Sequence, residues 1–112
     1  MVALDRVFGL LSEERRRYTL YYLEQQTRPV SIDEVAEQVA EWESNPGTVS
    51  IPEEKFDRIE VDLRHNHLPK ASGAEYIRYD PEVEEIEVTG TPPEVSAIIS
   101  VAKAIERPER YP

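Results

Sequence analysis

The chain has 112 residues, 39% hydrophobic and 32% charged, with 13 Lys and Arg against 23 Asp and Glu and a formal net charge of −10. This length predicts a single domain with one core, and the periodic clustering of the apolar residues excludes a disordered tail. The absence of cysteine excludes a disulfide framework and thiolate metal ligation, and no apolar run approaches the ~18 residues of a transmembrane helix.

The opening "MVALDRVFGLL" carries an acid and a base inside a helical pattern and lacks a signal-peptide layout, so a cytoplasmic location is expected. Leu4, Val7, Phe8 and Leu11 fall at i, i+3, i+4 and i+7, which predicts an amphipathic helix over residues 3–11. Ser12 is placed to N-cap a second helix, with Glu13 and Glu14 in its first turn, running through "RRRYTLYYLEQQ" and stopping before Pro29. Ser31 and Glu34 have the spacing of a capping box, and Val30 with Val35 that of a hydrophobic staple. Ile32, Val35, Ala36 and Val39 then mark one face of a helix over about 32–43. "SNPGT", residues 44–48, reads as a loop. Pro52, followed by Glu53 and Glu54, opens a long helix expected to reach about Ala71. "AEYIRYD" and "EEIEVTG", joined by Pro81 and its acidic neighbours, read as a β-hairpin. Thr91 with Pro92 or Pro93 opens a last helix bounded by Pro108, its stripe formed by Val95, Ile98, Ile99, Ala102 and Ile105.

A capped helix, a linker, a long helix and a hairpin follow one another as in a winged helix-turn-helix, where the helix before the hairpin enters the major groove and the wing touches the backbone. The expected fold is therefore α+β, mainly α, with a two-stranded wing in residues 1–90 and an added C-terminal helix in 91–112. The wording of the chain agrees. "LLSEERRRYTLYYL" resembles the opening of ArsR-like regulators, "VSIDEVAEQV" their positioning helix, and "HLPKASGAEYIRYD" the passage from recognition helix to wing. "ERRRYTLYYL" together with "HNHLPK" resembles more closely a family of small winged-helix domains of haloarchaea, over roughly residues 4–90. That resemblance implies a winged-helix fold and a role in transcription, and supplies no ligand, operator or catalytic residue. Ala71 stands where the family usually has leucine and Glu75 where it has the turn glycine, with Gly73 two residues earlier.

The long helix carries Phe56, Ile59 and Leu63 on one side and Val61 with Leu68 on another, so one face packs on the core and the other is left for a partner chain or the linker. For a groove, the polar residues are mainly Arg58, Asp62, Arg64, His65, Asn66 and Lys70, with Arg78 on the first wing strand. Arg and Asn can read guanine and adenine edges through paired hydrogen bonds, while Lys contacts phosphate. Arg15, Arg16 and Arg17 spread over about 200° of a helix, so they suit pairing with nearby acids better than one phosphate patch. His65 and His67, at i and i+2, point in nearly opposite directions and suit packing or capping better than a shared metal. No nucleophile–base motif, Gly-rich phosphate loop or pair of carboxylates set apart by environment is legible, so neither catalysis nor a cofactor is expected.

The charge is uneven. Residues 1–30 and 63–81 each sum to +1, whereas 31–62 sum to −8 and 82–112 to −4. Glu53, Glu54, Asp57, Glu60 and Asp62 on the long helix and Glu82, Glu84, Glu85 and Glu87 in the wing oppose phosphate contact. Eighteen Glu and five Asp against ten Arg and three Lys resemble the composition of salt-in halophiles. In molar salt the Debye length falls to about 3 Å, which removes the repulsion and also weakens phosphate contacts. The last helix, with a second line of Ala97, Val101 and Ala104, suggests a two-fold dimer to which the first helix contributes; the alternative is that it folds back on its own core. The expected function is that of a homodimeric winged-helix transcription regulator on double-stranded DNA. The alternative is a winged-helix module that meets a protein partner through its acidic surface.

Overall fold

The structure, a computed structural model, describes residues 3–44 and 50–108; the loop expected at 44–48 lies outside them except for Ser44. The helices are α1 (Leu4–Leu10), α2 (Glu14–Glu24), α3 (Ile32–Glu43), a long helix made of α4 (Glu53–Asp62), a π-turn (Leu63–His67) and α5 (Leu68–Ala71), and α6 (Pro93–Glu106). The strands are β1 (Val30–Ser31), β2 (Ile77–Asp80) and β3 (Glu85–Val88), paired antiparallel in the order β1-β3-β2. This is the α+β, mainly helical arrangement of a winged helix.

Tyr18, Thr19, Leu20 and Tyr21 are four consecutive buried residues of α2. At about 100° per residue they span most of the helix circumference, so α2 is surrounded rather than amphipathic. α3 and α6 pack against it, and Val35, Val39, Ile59, Leu63, Leu68 and Ile86 complete the core around it. Tyr18 and Tyr22 meet Trp42 of α3 edge-on, with ring centroids 6.0 and 6.4 Å apart.

The start of α3 follows the sequence closely. Ser31 Oγ accepts the Glu34 N–H at 3.1 Å, and Val30 and Val35 are both buried. The reciprocal half of the capping box is redirected: the Glu34 carboxylate accepts from the Tyr22 hydroxyl and from Arg28, at 3.1 Å. Those two donors hold its carboxyl below the usual range, the tyrosine foremost. Ser12, in contrast, does not cap α2. Its hydroxyl donates back to the Gly9 carbonyl at 2.8 Å and closes α1, and the N-cap position falls to Glu13. α2 also ends at Glu24, two residues earlier than expected, and Val30 and Ser31 further on pair with Ile86 and Glu85 in the sheet. Two residues are too few to show a strand period, and this third strand was not expected.

The π-turn resolves the two apolar faces of the long helix. Leu68 donates its N–H to the Leu63 carbonyl, five residues back, so one extra residue enters the turn. Pro69 explains the position: it has no N–H, and its ring conflicts with the carbonyl four residues earlier in a regular helix. The wider turn brings Leu63, His67 and Leu68 all to the core and leaves Val61 51% exposed.

α6 belongs to the core. Val95 and Ile99 are buried in it, and Ile98 and Ala102 pack against it half-buried. These residues of the expected dimer stripe are occupied by the chain's own fold, which corrects that assignment; of the stripe only Ile105, 75% exposed, faces outward. The end of α6 is fixed by Glu106, which takes Arg17 at 2.8 and 2.9 Å and the Tyr21 hydroxyl at 2.7 Å.

Arg16, 3% exposed, organises the other end of α2. Its Nε and Nη2 donate to the carbonyls of Leu10 and Gly9 at 2.8 Å, satisfying the C-terminal end of α1. Its Nη1 lies 3.2 Å from His67 Nδ1. Arginine only donates, so Nδ1 is the acceptor and the ring proton sits on Nε2, which donates to Asp62 Oδ2 at 2.9 Å. Asp62 also receives Arg15 Nη1 at 3.0 Å, and Arg15 forks onto Glu43 of α3 through two 2.7 Å bonds. Burial works to raise the Asp62 carboxyl, but His67, Asn66 and Arg15 outweigh it and leave it lowered. The three arginines thus divide among separate partners, and His67 packs inside the domain.

Replacing Arg16 by Met keeps its apolar stem and strands two carbonyls and His67 Nδ1. The expected loss is about 2–4 kcal/mol in urea unfolding, against about 1 kcal/mol or less for Arg28→Met, whose pair with Glu34 is largely exposed. Equal losses for the two variants would contradict this assignment.

Candidate nucleic-acid interface

At about 100° per residue, Glu54, Asp57, Arg58, Val61 and His65 share one side of the long helix, and all five are exposed. This is the face a winged helix turns toward a groove. Of the six residues expected to reach DNA, it holds two. Arg58 bends its Nε toward the Glu54 carbonyl of its own helix at 3.4 Å. His65 is exposed one turn beyond Val61 and makes no side-chain hydrogen bond with a described residue.

The other four are placed differently. Arg64 donates to Glu84 of the wing turn at 2.7 Å, tying the long helix to the hairpin. Asn66 turns its amide to Asp62 at 3.4 Å and is half-buried. Lys70 lies past the π-turn, exposed, beside a cavity under α1. Arg78 sits on the outer face of β2 opposite Glu87. Along the hairpin, Ile77, Tyr79, Ile86 and Val88 take the inner face, leaving Arg78, Asp80, Glu85 and Glu87 outside. That outer face carries one base against three acids. Glu84 adopts φ 53°, a left-handed conformation that lets the turn close and aims its carboxylate at Arg64.

A carboxyl pair also emerges. Glu60 of α4 shares a hydrogen bond with Asp33 in the first turn of α3, and this contact, with burial second, pushes the Glu60 carboxyl up to about 7. Arg64 works the other way and Asp57 reinforces the rise. The two acids stand 27 positions apart in the chain, so no local pattern announces them. Among the described residues no group of three or more His, Cys, Asp or Glu is placed to hold a metal ion, and no helix is long and apolar enough to cross a membrane.

A family model described as a domain of unknown function (DUF7344) matches residues 8–87, from the second turn of α1 into β3. No curated protein and no solved structure matches the chain.

Glu60 binds its proton more tightly folded than unfolded, so its contribution to stability is full below about pH 4.3 and is lost as pH rises through about 7. Glu60→Gln keeps a donor toward Asp33 at every pH. The variant is expected to exceed the wild type in urea midpoint at pH 8, with the gap closing toward pH 4.5. A gap that is constant with pH would contradict the shared proton.

Proposed function

We propose that this chain, which belongs to the DUF7344 family, is a DNA-binding transcription regulator of the winged-helix type, working as a homodimer in a high-salt cytoplasm. The observation that carries the reading is the exposed face of the long helix standing beside a hairpin wing, with Arg58 and His65 on it. The carboxylates at Glu54, Asp57, Glu84 and Glu85 set the condition under which that face meets DNA. In dilute buffer they repel phosphate, and in molar salt the repulsion is screened within a few ångströms while close hydrogen bonds to base edges persist. The acid surplus with scarce lysine supports the same setting.

Dimerisation is supported by apolar surface that the fold leaves uncovered. Val101 is 60% and Ile105 75% exposed on α6, in line with exposed Ala97 and Ala104, and α1 exposes Leu4 and Phe8 by more than half. These replace the buried Val95 and Ile99 as the residues a second copy meets. A second reading, a winged-helix module for a protein partner, is favoured by the Arg64–Glu84 pair, which closes one base against the wing and leaves acids outermost.

Two measurements separate these readings. Labelled duplex pools titrated from 0.1 to 2 M KCl are expected to bind the wild type better as salt rises, with about tenfold weaker binding for Arg58→Ala and several-fold tighter binding for Glu84→Gln, which releases Arg64. Absence of binding at every salt, with capture of a protein partner that Glu84→Gln weakens, favours the interaction module instead. Sedimentation in 2 M KCl is expected to show a wild-type dimer and an Ile105→Glu monomer with unchanged helicity, and a monomeric wild type refutes the dimer.

A further inference from the structure

Between α1 and the segment that leads from the long helix into β2 lies a cavity of about 490 Å3, within the range of small-molecule sites. Its charge runs against that of the protein. Arg6, Arg16 and Lys70 line it with a single acid, Glu75, in a chain of net charge −10. Arg16 is spent on α1 and His67 and serves as wall. Arg6 and Lys70 are different. Arg15, Arg17, Arg28, Lys55 and Arg64 all pair with carboxylates, yet neither Arg6 nor Lys70 makes a side-chain hydrogen bond or ion pair with a described residue. Two unpaired cations on one cavity, amid so many acids, leave an anion's place open.

The rest of the lining fits an apolar body. Val7 and Leu10 supply aliphatic walls from α1, and the Tyr76 ring, nine-tenths buried, lines the cavity as well. We infer that this cavity binds a small organic anion with a flat apolar body, an aromatic monocarboxylate, its carboxylate held between Arg6 and Lys70 and its ring against Val7, Leu10 and Tyr76. The apolar walls of Val7, Leu10 and Tyr76 offer contact to an organic body that an inorganic anion lacks, which sets this class apart. The site is separate from the exposed helix face and does not depend on DNA binding.

The test uses the full-length, isotope-labelled protein at fixed ionic strength with 2-naphthoate as probe. Saturable amide shifts are expected at Gly9, Gly73 and Tyr76, with binding weakened about tenfold in the double variant Arg6→Gln/Lys70→Gln and for the neutral analogue 2-naphthylmethanol. Both substituted residues are exposed, so the remaining amide spectrum should superpose on the wild type. Single variants Arg6→Gln and Lys70→Gln serve if the double variant is perturbed elsewhere. The inference is overturned by the absence of saturable shifts, by shifts centred on Phe8, Val101 and Ile105, or by equal affinity for acid and alcohol. Equal affinity of wild type and charge variants overturns it as well.

Discussion

The junction of α1, α2 and the π-turn is tied to the Arg16 guanidinium. It is a buried cation in an acidic protein, and its nearest carboxylate, Glu13 at 3.5 Å, lies at the surface. It is stabilised instead by carbonyl dipoles at the end of α1 and by a neutral imidazole nitrogen, all of which are acceptors aimed at one planar donor set. Because the same imidazole donates a hydrogen bond to Asp62, the end of α1, the start of α2 and the π-turn share one hydrogen-bond chain, which Arg15 extends to α3. The apolar core fills space between these elements, and the chain fixes their relative rotation. A buried polar network of this kind carries specificity only when every member is satisfied, and here the partners are complete.

The division of charge follows from that frame. Bases near the core are consumed by structure: Arg15 on Glu43 and Asp62, Arg17 on Glu106, Arg64 on Glu84. Surplus acids are pushed outward to the exposed sides of α3, α4 and the wing. The surface is therefore acidic as a consequence of pairing, and the cations without a carboxylate partner among the described residues, which include Arg58 on the helix face, Arg78 on the wing and Arg6 with Lys70 on the cavity, stand out by contrast.

Much of the fold was legible in the sequence because its signals are local. Ser31 with Glu34 and the stripe from Ile32 to Val39 located α3 to within a residue, and Pro52 with its two acids located the start of the long helix. What escaped depends on residues far apart or on segments too short to show a period. β1 has two residues, the Arg16–His67 contact spans 51 positions, and the Glu60–Asp33 pair forms only once α3 and α4 are packed. α6 misled for a different reason. A helix apolar on more than one side does not say which side its own core takes, and the core took the stronger stripe. The candidate site was legible in part: the helix and wing were, while the capture of Arg64 by Glu84 needed the left-handed turn to be seen.

The π-turn has a bearing on how this chain can change. One surplus residue puts the segments before and after it out of phase by about 100°. The half from Glu53 to Asp62 and the half from Leu68 to Ala71 are thus separately phased on a single axis. Loss of one residue from the turn would rotate the lower half, with Lys70 and the strand behind it, while the upper half kept its seat on α3. Length variation at this point is a means of re-aiming the wing and the cavity against an unchanged helix face, and point substitutions alone would need many coordinated steps to achieve the same rotation.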